Sequence, residues 1–302
     1  MRVLITGGAG YIGTSLCEEL LRNNAVTDVV IYDNLSRHNY NLFIGKTKLD
    51  ERVKFIDGDI LDSRKLRKAV KNADVVYHLA AKVTTPFADQ DAHLFEQVNH
   101  WGTAEVTYAV EESSVKKLIY LSSVSVYGSG DDQKNLDSQP NPRTFYGISK
   151  MRGEDHVKRL QSKCETHIIR CGNVYGYNRS MRFDAVINKF LFEANFHGKI
   201  NIHGSGEQQR PFVHVETVAA HLSGLLRQNS DSTIENLVEH NFQVNQIVEV
   251  LRELYPDLEI IFINNNLKLR ELKVETTMMG ANDQAVGLLR ERLKQFQQEF
   301  TF

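Results

Sequence analysis

The chain has 302 residues, 41% of them apolar and 25% charged, with a formal net charge of -2. That length suits one large domain, or a large domain carrying a smaller one, and the composition is that of an ordinary globular enzyme. No apolar run reaches the length of a membrane span, and the near-neutral charge offers no footprint for nucleic acid or an anionic membrane surface.

An apolar strand over 2–6 runs into a turn with Gly7, Gly10 and Gly13 at G-x-x-G-x-x-G spacing, with Tyr11 and Ile12 inside it, and a helix follows over 12–22. Such a turn brings backbone amides up to a pyrophosphate, and the helix N-terminus behind it favours the negative charge. A second strand, 29–33, ends on Asp33, twenty residues after Gly13. A carboxylate there binds the adenosine ribose hydroxyls and repels the extra phosphate of NADP, although Arg37 close behind softens the preference. NAD is therefore the expected cofactor. A third strand, 53–57, leads to Asp59, which either accepts a hydrogen bond from the adenine amine or caps the helix over 62–72. Strands over 74–80, 117–122 and 166–171 alternate with helices over 93–113 and 145–162. Val- and Ile-rich strands alternating with helices predict an α/β, doubly wound parallel sheet of the Rossmann kind, with ligands at the carboxyl ends of its strands.

After about residue 175 the rhythm changes. Helices over 183–197, 216–228, 244–254 and 284–298 are interspersed with strands near 199–203, 211–215, 234–238 and 258–263. The expected division is a cofactor-binding domain over 1–175 and a smaller substrate-binding lobe over 176–302, interleaved with the main sheet. The polar stretch 128–143 reads as a loop over the site. The N-terminus runs directly into a strand, so no signal peptide is expected. Cys17, Cys164 and Cys171 form neither a metal-like spacing nor an even disulfide set, which points to a reducing cytoplasm and to no metal site.

Tyr146 and Lys150 stand four apart on a helix and so share a face. A lysine ammonium beside a phenol favours phenolate, which can then take a hydroxyl proton at neutral pH. Ser122 and Ser123 end the fifth strand, where a hydroxyl can hold the same substrate oxygen. His78 and His214 sit in apolar strands and read as satisfied core histidines. Arg182 either binds phosphate or pairs with Asp184.

Taken in order, Thr6–Gly13, Asp33-Asn34-Leu35, Gly58-Asp59, His78-Leu79-Ala80-Ala81, Asn99-x-x-Gly102-Thr103, Leu121-Ser122-Ser123-x-x-Val126-Tyr127-Gly128, Tyr146-x-x-x-Lys150, Arg170-x-x-Asn173-Val174-Tyr175-Gly176 and Arg210-Pro211-Phe212-Val213-His214-Val215 resemble an extended short-chain dehydrogenase/reductase. The particular resemblance is to the NAD-dependent epimerase/dehydratase family acting on nucleotide sugars. It implies Tyr146 as general base and acid, Lys150 as the group that orients the nicotinamide ribose, and Ser123 as the catalytic serine. Gly7, Gly10, Tyr11, Ile12, Gly13, Asp33, Asn34, Asp59, Ile60, Leu79, Ala80, Ala81 and Asn99 would surround NAD together with Tyr146 and Lys150. Asn173, Arg182, Arg210 and Arg270 would bind substrate, the arginines through its diphosphate. Arg270 is a loose match to the arginine that grips the second phosphate, and Glu216 stands where Asp is commoner.

In the family, 4,6-dehydratases carry an Asp-Glu pair directly after the Ser/Thr, and decarboxylases carry Glu where Ser125 stands. Here those positions are Val124 and Ser125, and no cysteine follows the serine region before Cys164 to serve a 3,5-epimerase. The expectation is therefore a 4-epimerase working through a 4-keto sugar, with a 4-dehydrogenase or 4-ketoreductase as the alternative. A non-catalytic NAD-binding regulator is a further alternative, opposed by the retention of Ser123, Tyr146 and Lys150. The resemblance also implies a homodimer in which the helices over 93–113 and 145–162 pair with their symmetry mates, Tyr108, Val110, Met151 and Leu160 being expected surface positions that supply an apolar patch.

Overall fold

The computed structural model describes residues 1–44, 49–83, 92–227, 231–264, 271–276 and 282–301. In chain order the first half comprises β1 (Arg2–Thr6), α1 (Tyr11–Leu21), β2 (Asp28–Asp33), β3 (Val53–Asp57), α2 (Ser63–Val70), β4 (Val75–His78), α3 (Ala92–Phe95), α4 (Gly102–Glu111), β5 (Lys117–Ser123), β6 (Gln133–Lys134) and α5 (Phe145–Arg159). The second half comprises β7 (Glu165–Cys171), β8 (Asn173–Tyr175), α6 (Val186–His197), β9 (Lys199–His203), β10 (Gln209–His214), α7 (Val215–Gly224), β11 (Thr233–Leu237), β12 (His240–Gln243), α8 (Val244–Leu254), β13 (Glu259–Ile263), β14 (Lys273–Val274) and α9 (Asn282–Gln298).

Seven strands form one sheet in the order β11-β7-β5-β4-β1-β2-β3, and every neighbouring pair runs parallel. The continuous apolar runs of β1, β2 and β4 follow from this, because helices cover both faces and leave no wet side. One face packs Ile5, Leu16, Ile31 and Leu222; the other packs Leu4, Leu66, Val106 and Ile168. β11 comes from late in the chain, yet it supplies the edge strand beside β7, and α7 packs on α1.

The remaining strands form three small sheets, β12-β10-β8, β13-β9 and β14-β6. β8 and β12 lie outside the strands read from the sequence, because three- and four-residue strands carry too few side chains to show a period. β6 likewise crosses the stretch read as a loop over 128–143 and pairs with β14. The helix expected over 93–113 is interrupted by a π-helical stretch, Glu96–Trp101. Val110 and Leu160, expected on the surface, are 0% and 1% exposed. They pack under β5 with Val106 and Val157, which removes them from any dimer face.

One buried ion pair spans the sheet and α5. Arg170 Nε and Nη2 donate to Glu154 Oε1 and Oε2 at 3.0 and 2.7 Å, Ser122 Oγ donates to Glu154 Oε1 at 2.6 Å, and Arg170 Nη1 donates to the Tyr127 hydroxyl at 2.9 Å. Burial works against the Arg170 charge, but the bonds to Glu154 outweigh it and raise the guanidinium pKa. Removing one partner strands the other charge in the core. Glu154→Gln is therefore expected to cost about 3–5 kcal/mol of unfolding free energy in urea melts, and Glu154→Leu with Arg170→Met to recover most of that loss.

Candidate active site

The glycine turn follows β1 because only backbone fits there. Gly7 has φ +73°, and a Cβ on it would meet the Ala80 amide nitrogen at 2.6 Å. A Cβ on Gly13 would meet the Gly7 carbonyl oxygen at 2.6 Å. The turn, the end of β4 and Ala80 thus form one close backbone cradle at the carboxyl ends of β1 and β4. Asp33 closes its side: Oδ2 accepts from the Ala9 amide at 3.0 Å and Oδ1 from the Leu35 amide at 2.9 Å. Burial raises the Asp33 pKa, and those two amides hold it back. A carboxylate has further lone pairs for a ribose diol. Asn34 Nδ2 donates to Asp59 Oδ2 at 2.9 Å, and Asp59 Oδ1 accepts the Leu61 amide at 2.8 Å. Asp59 does not cap α2; Asp62 does, accepting the Lys65 amide.

Two of the expected cofactor residues turn their side chains elsewhere. Tyr11 is buried, and its hydroxyl donates to the Gly176 carbonyl at 2.5 Å. Ile60 is buried against Gly102. Ile12, Leu79 and Ala81 are half-buried.

Asn99 lies in the π-helical stretch and is fully buried. Its Oδ1 accepts the Lys82 amide at 2.8 Å, while Nδ2 donates to the Lys82 carbonyl at 2.9 Å and to Ser149 Oγ at 3.0 Å. A π-bulge re-aims a side chain without ending the helix, and here it delivers an amide to the segment after Ala81. Below it, His78 bridges Thr6 Oγ1 (2.8 Å) and Thr103 Oγ1 (2.9 Å). Burial, with the nearby Lys150 charge, lowers the His78 pKa to about 3, and burial lowers that of His214 to about 4. Both are neutral, hydrogen-bonded interior residues.

Ser122 and Ser123 are separated by the strand's alternation. Ser122 is committed to Glu154, whereas Ser123 hydrogen-bonds the Tyr146 side chain and donates to Ser125 Oγ at 3.1 Å. Tyr146 and Lys150 project from the first turns of α5, which Thr144 caps through the Gly147 amide at 3.1 Å. The Tyr146 phenol is not drawn below its ordinary value, as the lysine spacing suggested. Burial raises it, and the Ser123 hydrogen bond and the Arg182 charge only partly offset that. Lys150 Nζ sits 4.2 Å from the centre of the Tyr120 ring. Its own pKa falls from 10.5 to about 7 through burial, with Glu154 pulling back.

Of the residues expected to bind substrate, Asn173 is exposed at the start of β8 and donates to the Pro211 carbonyl at 2.9 Å. Arg210, on β10, has its pKa lowered by burial, with no carboxylate contributing. A guanidinium in that state suits an anionic ligand. Arg182 pairs with Asp184 through two hydrogen bonds of 3.1 and 2.7 Å, while its charge still reaches Tyr146. Arg270 lies outside the described residues. The Ser122–Glu154–Arg170 network and the buried Asn188 carry no local signal in the sequence, because their partners are remote in the chain.

A sequence model of the NAD dependent epimerase/dehydratase family matches residues 3–238, and the chain belongs to that family, whose cofactor is NAD. Among its relatives is the human dTDP-D-glucose 4,6-dehydratase, 31% identical over an alignment covering 97% of this chain and 82% of the relative. A putative UDP-glucose 4-epimerase of Methanocaldococcus jannaschii is 30% identical over 83% of this chain and 81% of its own. The solved structure of MoeE5 with UDP-glucose and NAD superposes with a TM-score of 0.81 at 25% identity, covering 99% and 98% of the two chains. The residues of the glycine turn, Asp33 and Ala80 fit NAD: the cradle admits backbone alone, and the carboxylate stands at its rim.

Burial of Lys150 makes a pH-dependent prediction. The unfolded chain keeps this proton up to about pH 10.5, whereas the folded chain loses it near pH 7, so the cost of burying the charge is complete below pH 7 and fades above it. Lys150→Met should therefore raise the thermal midpoint at pH 6 by about 2–4 °C for each kcal/mol regained, and by less at pH 9, in calorimetry on the same preparation.

Proposed function

We propose that this protein is an NAD-dependent nucleotide-sugar 4-epimerase, working through transient oxidation of the sugar to a 4-keto form. The observation that carries the reading is the composition of the turn around Ser123: a serine bonded to the Tyr146 side chain, an aliphatic Val124, and a hydroxyl at Ser125. In its phenolate form, which burial opposes and the Ser123 hydrogen bond and the Arg182 charge favour, Tyr146 takes the 4-hydroxyl proton; Ser123 holds the same oxygen, and Tyr146 returns the proton after the keto sugar has turned. When bound, NAD supplies the reversible two-electron acceptor at C4. Lys150 orients its ribose, and Arg210, Arg182 and Asn173 hold the substrate. The relatives that handle UDP-glucose support a UDP-sugar substrate.

The likeness to 4,6-dehydratases favours a second reading, loss of water after the same C4 oxidation. Val124 and Ser125 offer no carboxyl group to move the proton that this requires. One-way 4-dehydrogenation or 4-ketoreduction would use the same residues and release product after a single transfer.

We also propose a cytoplasmic homodimer. None of the described helices is long and apolar enough to cross a membrane, and the three cysteines are free. Trp101 is 56% exposed and Tyr108 37% exposed, and the His100 ring stacks on Trp101 at 4.7 Å and on His156 at 5.1 Å. An exposed indole at the end of the π-helical stretch, stacked on a histidine that in turn stacks on α5, is costly to leave in water. Trp101→Glu should convert the sedimentation coefficient from dimer to monomer; an unchanged value would remove this face from the interface.

The activity is tested with UDP-glucose and the purified protein, following UDP-galactose by NMR without added NAD. Tyr146→Phe should lower the rate about 10²–10⁴-fold while retaining NAD. Stoichiometric NAD(H) released on denaturation supports epimerisation. Consumption of added NAD(H) by an empty protein would replace it with one-way oxidoreduction, and a 4-keto-6-deoxy product with dehydration.

A further inference from the structure

The segment from Gly176 to Asn188 opens the substrate-side part of the chain, yet it is stitched along the cofactor helix α1. The Tyr11 hydroxyl donates to the Gly176 carbonyl at 2.5 Å, Asn178 Nδ2 donates to Ser15 Oγ at 2.8 Å, and Thr14 Oγ1 donates to Ser180 Oγ at 3.1 Å. Arg179 pairs with Glu18 at 2.9 Å. From the loop after Asp33, Arg37 reaches Asp184 at 3.5 Å. Both walls of the cofactor cleft therefore touch the same thirteen-residue stretch.

One buried amide closes this seam. Asn188, in the first turn of α6, is fully buried. Its Oδ1 accepts the Gly176 amide at 3.0 Å, and its Nδ2 donates to the Arg182 carbonyl at 3.1 Å and reaches the Tyr11 hydroxyl at 3.4 Å. A single side chain thus joins the glycine turn, the turn after β8 and the backbone of Arg182. The positive charge of Arg182 acts on both Tyr11 and Tyr146, so the place of that backbone matters at each end of the cleft. A buried amide with its acceptor and both donors engaged has no alternative partner, so a shift of any one element is passed to the other two.

We propose that Asn188 is a positioning residue that couples the two ligand sites, so that NAD on the glycine turn and a nucleoside diphosphate on the substrate side each tighten the binding of the other. The substrate arm rests on the nucleotide-sugar reading above. The coupling must be reciprocal, because both ligands bias the position of the same segment.

The test measures NAD affinity by calorimetry or fluorescence, with and without saturating UDP, and with dTDP as a second probe. In the native chain the diphosphate should tighten NAD binding at least about 5-fold, the lower end of ordinary coupling. Asn188→Leu has a similar volume without donor or acceptor and should bring that ratio below about 2-fold. Asn188→Asp, which keeps the acceptor for Gly176 and loses both donors, should do the same, and it stands in if the leucine variant fails to fold. A ratio unchanged in a folded variant, even with a lower melting temperature and weaker binding of each ligand, would reduce Asn188 to a structural residue and overturn the proposal. So would a native chain that binds UDP without any effect on NAD, and in that case the nucleotide-sugar reading would stand. If neither UDP nor dTDP binds the native chain, both readings fall.

Discussion

The alignment of Ser123, Tyr146 and Lys150, the groups to which we assign the reaction, depends on the buried pair between Glu154 and Arg170. Glu154 lies one helical turn beyond Lys150 and two beyond Tyr146, on the inner face of α5. By holding Arg170 of β7 and Ser122 of β5, it fixes the height and rotation of α5 against the strand ends. Arg170 carries the constraint to the Tyr127 hydroxyl, and Tyr127 passes it to Asn236 of β11 at 2.8 Å. Four elements far apart in the chain are thereby locked around Ser123. A buried ion pair is a costly way to gain stability, and here it serves to fix register. Its charge has a second effect, since Glu154 opposes the burial that would otherwise strip Lys150 of its proton.

The same competition between burial and charge governs the chemistry. Helical spacing places a cation and a phenol on one face, and in water that arrangement would favour phenolate. In the folded chain desolvation is the larger effect for both groups: the phenol moves up and the amine moves down. The lowering influences on Tyr146 come from elsewhere, namely a hydroxyl on β5 and a guanidinium on the segment after β8. The reactivity of Tyr146 therefore depends on the substrate side of the cleft as well as on its own helix. This is why the stitching of residues 176–188 to α1 bears on function.

Much of this architecture was legible in the order of residues. The Val- and Ile-rich strands, the glycine turn, Asp33 and the Tyr146–Lys150 spacing are local patterns. Each is dictated by a short-range requirement: two buried faces, a backbone that must approach closely, a carboxylate at a strand end, a shared helical face. The seven-stranded parallel sheet and its ligand edge follow from those patterns, and the chain's place in its family agrees with them.

What the sequence could not decide was which of several chemically equivalent groups is used. Ser122 and Ser123 are the same residue type in adjacent positions, and only the pleat of β5 sends one to Glu154 and the other to Tyr146. Val110 and Leu160 look like any apolar residue on an amphipathic helix until α4 and α5 are docked on the sheet. Asn188 is one polar residue in a helix, given meaning by partners 177, 12 and 6 positions away. Local order set the fold and singled out the groups to which we assign the reaction, because those patterns depend on neighbours in sequence. Tertiary structure alone decided their electrostatics and alignment, because burial and remote charge arise only when distant segments pack together.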